Sequence, residues 1–187
     1  MKHLLLTMAA LLGTIAMGET LDIKGDFAKS TTDGLPVDWV QHDWHGFKPL
    51  AKVTLVSDEK SGKKAFRIDD NHAKYGASVR STLRFPVQSG DKITVSFESR
   101  GSGTGRIGLY TYTPDIKWNE VCPQERFPLT KTWKPRQASF TVPDGKTSPT
   151  GFCELFFGAN NGTTAEFRDI TAKREPGAYR GTLPFPY

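Results

Sequence analysis

The sequence predicts an all-β fold, built as a two-sheet antiparallel β-sandwich or jelly roll. Apolar residues recur at every second position far more often than at helical spacing, as in strands that bury one face. Clusters of Gly, Pro, Asn and Asp interrupt each run, as turns do between short strands. Of the 187 residues, 37% are hydrophobic and 11% aromatic, which is enough to bury a core. We therefore expect about ten short strands in one sandwich.

The first 18 residues predict a secretory signal peptide. A basic start is followed by the apolar run 4–16 and the small residue Gly18, the order of regions that a signal peptide has. The run is too short to span a bilayer, and no later stretch is apolar for long enough. We expect a secreted or periplasmic protein with no membrane partner. The sandwich should occupy 19–175, followed by an extended tail at 176–187.

The clearest alternation lies in the central part of the chain. One run is ambiguous, because Tyr75, Val79 and Leu83 also stand four residues apart as on a helix. Gly76 and the Ser-rich, β-branched composition of this run favour a strand. The predicted strands are 77–85, 93–97, 107–111, 140–142 and 153–157, with shorter ones at 21–27, 52–56, 64–68 and 165–172.

Cys122 and Cys153 are the two cysteines of the chain. An even number of cysteines in an exported protein predicts one disulfide. The bond would close a loop of about 30 residues and stabilise the fold by roughly 3 to 4 kcal/mol. Because the two cysteines are not spaced as C-x-x-C, we interpret the bond as structural.

The charge balance is mildly basic, with 25 Lys and Arg against 20 Asp and Glu. Such a balance slightly favours acidic partners, including uronate and sulfated glycans. The basic residues form no concentrated stripe, and the Lys-rich stretch 60–64 reads as a solvated loop. Nucleic acid is therefore not an expected partner.

Several short motifs follow one another in a recognisable order. They are Gly25-Asp26-Phe27, Gly34-Leu35-Pro36 before Trp39, the strand 64–68, Phe85-Pro86-Val87 before 90–97, Thr132-Trp133 before 138–143, and 165–170. Together they resemble the carbohydrate-binding modules of the galactose-binding-like jelly-roll superfamily, in particular families 4, 9 and 22, over residues 20–174. The resemblance implies a β-sandwich that binds glycans without catalysis, in a cleft on the concave sheet or at a loop edge.

The same resemblance implies a structural calcium ion near the chain ends. Asp26 and Asp169 match positions where the family often places carboxylates around the ion, and Ca²⁺ prefers such oxygen ligands. The sequence departs from the pattern at Arg168, where a second acid is common in the family. An alternative is therefore an ion pair between the N-terminal carboxylate and Arg168.

Strand parity assigns a carbohydrate-binding site to one outer sheet face. A saccharide needs flat aromatic rings beside fixed hydrogen-bonding groups. If Ile107 and Leu109 face the core, alternate side chains of the same strand face outwards. Applied to the other strands, this parity predicts that Tyr110, Tyr112 and Phe156 stack on sugars while Arg80, Glu98, Arg106 and Glu154 provide polar contacts. The alternative is that these rings only shield neighbours and the charges form solvated pairs.

The four tryptophans divide into two groups. Trp39 and Trp133 match packing positions of the family and are interpreted as structural. Trp44 and Trp118 lie in polar, turn-like stretches, where an exposed ring without a partner is unfavourable, so both are predicted as loop platforms for a sugar. A zinc site at the nearby H-x-x-H motif is not expected, because two ligands do not form a site.

Two other functions compete with non-catalytic binding. Glu98 and Glu154 could be the carboxylate pair of a glycoside hydrolase on a jelly-roll scaffold, and Tyr110 beside Arg106 suggests a lyase. No G-x-S-x-G motif or Ser-His-Asp set supports an enzyme. The third hypothesis is a surface or matrix interaction protein that binds no glycan.

Overall fold

The computed structural model describes residues 18–42, 51–70, 76–115, 117–119, 123–143, 150–160 and 162–177, which form two packed antiparallel sheets. The first sheet contains β1 (Glu19–Leu21), β3 (Ala51–Ser57), β4 (Lys64–Asp70), β7 (Lys92–Gly101), β11 (Lys134–Thr141) and β13 (Thr164–Glu175). The second contains β2 (Trp39–His42), β5 (Ala77–Ser81), β6 (Phe85–Gln88), β8 (Thr104–Tyr112), β9 (Trp118–Asn119), β10 (Gln124–Pro128) and β12 (Thr150–Ala159). The predicted two-sheet β-sandwich is confirmed.

The strand order brings distant parts of the chain together in each sheet. The first sheet runs β11-β7-β13-β4-β3, with β1 also paired to β13. The second runs β10-β8-β12-β5-β2, with β6 beside β12 and β9 beside β8. In both sheets the central strands carry one apolar face, as the period-two pattern requires.

Aromatic side chains from both sheets fill the core between them. Phe157 of β12 and Phe167 of β13 join the sheets, with ring centroids 5.0 Å apart. Phe97 packs 5.1 Å from Phe157, and Phe66 packs 5.2 Å from Phe167. Trp39 is buried beside Phe66, which confirms its structural interpretation.

Most of the predicted strands are confirmed, but 77–85 is two strands rather than one. β5 ends at Ser81, although the Thr82 amide still donates to the Asp38 carbonyl next to β2 (2.8 Å). The Leu83 amide then donates to the Ser81 hydroxyl (3.1 Å). This local hydrogen bonding replaces the ladder and ends β5.

The predicted strand 21–27 is shorter than expected. Only β1 is a strand there, and Lys24 and Phe27 adopt positive φ angles of 49° and 54°. The Ile170 amide donates to the Gly25 carbonyl (3.3 Å), which ties this segment to β13. A Cβ atom on residue 25 would overlap the Ile170 carbonyl, so only glycine permits this approach.

Several predictions fall outside the described residues. Cys153 lies in β12 with its side chain buried, whereas Cys122 is outside the described residues, so the disulfide stays a prediction. Residues 1–17 of the predicted signal peptide and 178–187 of the predicted tail are also outside them. In the described part of the chain, no helix is long and apolar enough to cross a membrane.

Candidate functional site

Strand parity places most of the predicted site on the outer face of the second sheet. Ile107 and Leu109 are fully buried in the core, so their neighbours in β8 point outwards. Antiparallel register sets Glu154 directly opposite Tyr110, and directly opposite residues share one face. We call this surface the Glu154 face; its members are Arg80, Arg106, Tyr110, Tyr112, Glu154 and Phe156.

Glu154 is the centre of a polar network on this face. Its side chain is only 1% exposed, yet both carboxylate oxygens accept hydrogen bonds from cations. Arg80 donates through Nη1 to Oε2, and Arg84 donates through Nε to Oε1 (2.7 Å). The Tyr112 hydroxyl donates to Oε2 (2.8 Å). Three donors thus offset the desolvation of a buried carboxylate.

Tyr112 is held as a neutral phenol by its surroundings. Burial raises the pKa of Tyr112 to about 12, and the hydrogen bond to Glu154 acts in the same direction. The guanidinium carbon of Arg84 lies 4.9 Å from the centre of the Tyr112 ring. The hydrogen bond to Glu154 raises the pKa of Arg84. Tyr112 is therefore a hydrogen-bond donor at neutral pH and is unsuited to act as a base.

Tyr110 and Phe156 point away from the core as predicted, but neither ring is exposed. Tyr110 is 4% exposed and Phe156 is 0% exposed, with ring centroids 4.5 Å apart. Gly108 allows this packing, because a Cβ atom there would lie 2.6 Å from Phe156 Cζ. The His42 ring contacts Tyr110 edge-on at 5.6 Å. The expectation that both rings stack on sugars is corrected, because both rings are buried. Tyr112 is only partly buried.

Arg106 lies flat across the sheet, next to another arginine. Gly158 makes room for it, because a Cβ atom on residue 158 would clash with Arg106 Nε. Arg126 of β10 is the direct cross-strand partner of Arg106. Burial lowers the pKa of Arg106; Tyr110 counteracts this shift, Arg126 adds to it, and Asp70 also counteracts it.

Glu98 does not belong to this face. It lies in β7 of the first sheet, where it accepts a hydrogen bond from Arg168 Nε (2.6 Å). Parity assigned it correctly to an outer face but could not specify which sheet β7 joins. Glu98 and Glu154 therefore lie on opposite sides of the sandwich, and the hypothesis that they form the carboxylate pair of a hydrolase is wrong.

The two tryptophans predicted as loop platforms are only partly described. Trp118 begins β9 and is the register partner of Tyr112, so its strand borders the Glu154 face. Trp44 lies outside the described residues. Arg84 was not predicted from the sequence; it lies between β5 and β6, where strand parity does not apply.

The outer face of the first sheet carries a different network. Trp133 contacts two guanidinium groups, whose carbons are 4.6 Å (Arg100) and 4.0 Å (Arg168) from its ring centre. Its indole Nε1 donates to Asp58 Oδ2 (2.7 Å), and this bond is the main cause of the lowered pKa of Asp58. Arg100 Nε also donates to Glu166 (2.6 Å). We call this surface the Trp133 face, and these contacts agree with the interpretation of Trp133 as a structural residue.

The two carboxylates predicted to hold calcium have other partners. Asp169 Oδ2 accepts a hydrogen bond from Lys63 Nζ (2.6 Å), and Asp26 Oδ1 accepts one from the Ala28 amide (3.2 Å). Among the described residues, no three Asp, Glu, His or Cys side chains group as metal ligands. The alternative pair with Arg168 is not formed, since Arg168 contacts Glu98 instead. Calcium at Asp26 and Asp169 stays a prediction.

No protein-family model and no curated sequence matches this chain. Solved structures do match it. The family 11 carbohydrate-binding module of the Clostridium thermocellum cellulase Lic26A-Cel5E is 12% identical, with a TM-score of 0.55 over 90% of this chain and 99% of that one. The CBM22-1 and GH10 modules of C. thermocellum xylanase 10B, complexed with xylohexaose, are 13% identical, with a TM-score of 0.52 over 90% of this chain.

The enzymatically active domain of bacteriophage CBA120 tailspike protein 4 is also similar, with 12% identity and a TM-score of 0.55 over 84% of this chain. This chain spans only 21% of that tailspike domain and 30% of the xylanase structure. At these identities the likeness establishes the fold. The chain has the jelly-roll β-sandwich fold of carbohydrate-binding modules, as the sequence resemblance predicted.

Proposed function

We propose that this protein is exported and binds a polysaccharide or oligosaccharide without catalysis, on the Glu154 face. One observation carries the proposal: Tyr112, Arg80 and Arg84 converge on the buried carboxylate of Glu154. The fold is compatible with this role, because the same sandwich occurs in the family 11 carbohydrate-binding module. A fold alone does not determine function, so the site has to supply the chemistry.

The Glu154 network fixes hydrogen-bond donors before any ligand arrives. A guanidinium group has five N–H donors, and Glu154 uses only part of those on Arg80 and Arg84. The Arg80 and Arg84 side chains remain 27% and 38% exposed, so their other donors can reach sugar hydroxyls. Because the carboxylate already holds both arginines, less side-chain entropy is lost on binding. The half-buried Tyr112 ring adds an apolar surface for the C–H groups of a sugar.

The chemistry of this face supports binding rather than catalysis. Both oxygens of Glu154 accept hydrogen bonds from arginine, so neither is available as a general base. The raised pKa of Tyr112, about 12, makes its phenolate rare at neutral pH. In the described part of this face, no second carboxylate accompanies Glu154 at the spacing of a glycosidase pair.

The test compares two arginine variants on opposite faces. Arg84 and Arg67 are matched, because their side chains are 38% and 40% exposed and each donates through Nε to a carboxylate, at 2.7 and 2.9 Å. A panel of neutral and acidic polysaccharides is first screened by affinity electrophoresis, and the best ligand is then measured by calorimetry. We expect Arg84→Ala to weaken binding about tenfold, since charged hydrogen bonds contribute roughly 1.5 to 3 kcal/mol.

Arg67→Ala should leave affinity unchanged, and circular dichroism should confirm that both variants fold. Equal affinity of the wild type and Arg84→Ala would show that the glycan does not bind on the Glu154 face. If the folded wild type binds no glycan in the panel, the protein fits the hypothesis of an interaction protein instead. Release of reducing ends or unsaturated uronates would contradict a non-catalytic role.

A further inference from the structure

One phenylalanine on the Glu154 face differs in burial from the others. Phe152 is only partly buried, whereas every other phenylalanine in the described part of the chain is buried. In the same strand, Cys153 and Leu155 are buried in the core, so Phe152 points to the same outer side of β12 as Glu154. Phenylalanine is among the residues most often fully buried in proteins. The Glu154 face thus carries an aromatic ring that the fold does not fully enclose.

The strand register places Phe152 in a row of apolar residues that crosses three strands. Tyr112 of β8 is directly opposite Phe152 on one side, and Pro86 of β6 is directly opposite it on the other. Phe85 and Val87 are buried in the core, so the exposed Pro86 between them faces outwards. A single exposed apolar side chain is common on protein surfaces, but these three form a continuous strip. We call Tyr112, Phe152 and Pro86 the Phe152 row.

The Phe152 row is long enough for more than one sugar. Neighbouring strands lie about 4.8 Å apart, so three residues in register extend over roughly 10 Å. A row of this length exceeds one pyranose ring and can contact two consecutive rings. On the other side of Tyr112 its register partner is Trp118, so the line of register continues into β9.

The Glu154 network lies along one side of this row. Glu154 is two residues from Phe152 in β12, about 7 Å along the strand and on the same face. Arg84 comes two residues before Pro86 and reaches both Glu154 (2.7 Å) and the Tyr112 ring (4.9 Å from its centre). A sugar chain on the row therefore has its C–H faces over the apolar side chains and its hydroxyl edge beside the arginines.

We infer that this site binds an extended oligosaccharide chain rather than a single sugar, and that the chain crosses the strands from Tyr112 over Phe152 to Pro86. This inference rests on the proposed function and deepens it, since it gives the size and direction of the ligand. Arg80 and Arg84 hold one sugar, and Phe152 stacks on the next. A site for one terminal sugar needs no apolar surface beyond Tyr112.

Oligosaccharides of increasing length test this inference. Cello-, xylo-, manno- and galacturono-oligosaccharides of one to six sugars are titrated by calorimetry against the folded wild type. In the series that binds, we expect affinity to rise about tenfold or more between one and three sugars. Affinity should then level off, because further sugars extend past the end of the row.

Substitution of Phe152 locates the gain in affinity with chain length. Phe152→Ala should lower the affinity for the hexasaccharide about fivefold to tenfold and affect the shortest member that binds much less. Phe152→Leu keeps most of the apolar volume but loses the flat ring. It should reduce the gain in the same direction, and it keeps the test decisive if the alanine variant does not fold.

Val56→Ala is the matched control on the opposite sheet. Val56 of β3 is also partly buried, and it lies three positions after the core residue Val53, so alternation directs its side chain outwards from the first sheet. Loss of this apolar side chain should leave the gain with length unchanged. Arg84→Ala should instead weaken binding of every length to a similar extent, because each chain uses the arginines.

The outcomes separate this inference from the proposed function. If one sugar binds as tightly as six, or if folded Phe152→Leu keeps the full gain with length, the extended chain on the Phe152 row is wrong and the proposed function stands. An equal loss in Val56→Ala would also overturn the inference. If the wild type binds no oligosaccharide of any series, both the inference and the proposed function fail.

Discussion

The two outer faces of the sandwich use the same residue types in opposite ways. On the Trp133 face an aromatic ring contacts Arg100 and Arg168, and both cations bind acids of the chain. On the Glu154 face one carboxylate holds two arginines, and a further arginine pair lies beside them. Where the charged groups of a face pair with one another, the network stabilises the fold. Where hydrogen-bond donors remain available, the face is able to bind a ligand.

A tight turn closes the Trp133 face. Gly62, with a φ of 68°, allows its amide to donate to the Asp58 carbonyl (2.8 Å). The Asp58 carboxylate then accepts hydrogen bonds from the Ser61 amide and hydroxyl, both at 3.0 Å. The turn thereby aims Asp58 at the Trp133 indole. No described turn closes the Glu154 network in this way.

The largest expected loss of stability follows from substitution of Glu154. Glu154→Gln removes the buried carboxylate that is the common counter-charge of the partly exposed Arg80 and Arg84. Removing one partner of a buried ion pair costs about 3 to 5 kcal/mol. Urea denaturation should therefore show a large fall in the free energy of unfolding.

Glu98→Gln is the matched control on the other face. The Glu98 side chain is 30% exposed, and its partner Arg168 also contacts Asp58 and Ser61, so we expect a loss of about 1 kcal/mol or less. If the two variants were equally stable, the contrast between the faces would be lost.

A smaller loss of stability is expected when the ring of Trp133 is removed. Trp133→Ala removes two contacts with guanidinium groups and the hydrogen bond to Asp58, which together should cost about 3 kcal/mol. Trp133→Phe keeps an aromatic ring next to the arginines and loses mainly the hydrogen bond, at a cost of about 1 kcal/mol. Thermal denaturation monitored by circular dichroism would measure both changes.

The same variants separate stability from binding. Because the Trp133 face does not touch the proposed site, the folded Trp133→Phe variant should bind glycan as the wild type does. A clear loss of affinity in this variant would show that the two faces are coupled or that the site lies on the wrong one.

The sequence predicted which side of its own sheet each residue occupies, but not which sheet each strand joins. The alternation in β8 was enough to place Arg106, Tyr110 and Tyr112 on an outer face. The same rule placed Glu98 outside, yet the pairing of β7 with β11 and β13 depends on contacts between distant parts of the chain. Local pattern carries no information on that pairing.

Strand parity also did not predict which outward-facing side chains are exposed to solvent. Phe156 faces away from the core but is buried, because the missing side chain at Gly108 lets its ring lie against β8. Arg84 reaches Glu154 only because the chain leaves the sheet after β5. Both features depend on side-chain fit rather than on alternation.

The smallest and most selective difference between the faces should appear in the dependence of stability on pH. The pKa of Asp58 is lowered by its hydrogen bonds, so its contribution is present above its unfolded pKa of about 3.9 and is lost as pH falls. The pKa of Tyr112 is raised to about 12. Its contribution is present below its unfolded pKa of about 10 and is lost as pH rises towards 12.

Each face should therefore control one limb of the stability profile. Urea midpoints measured across pH should show that Asp58→Asn flattens the acid limb, while Tyr112→Phe flattens the alkaline limb and leaves the acid limb unchanged. Tyr112→Phe keeps the ring, so a flattened alkaline limb with an intact fold would isolate the hydroxyl that donates to Glu154. If the alkaline limb persisted unchanged in Tyr112→Phe, the phenol would not be part of the Glu154 network, and the polar site built on it would have to be abandoned.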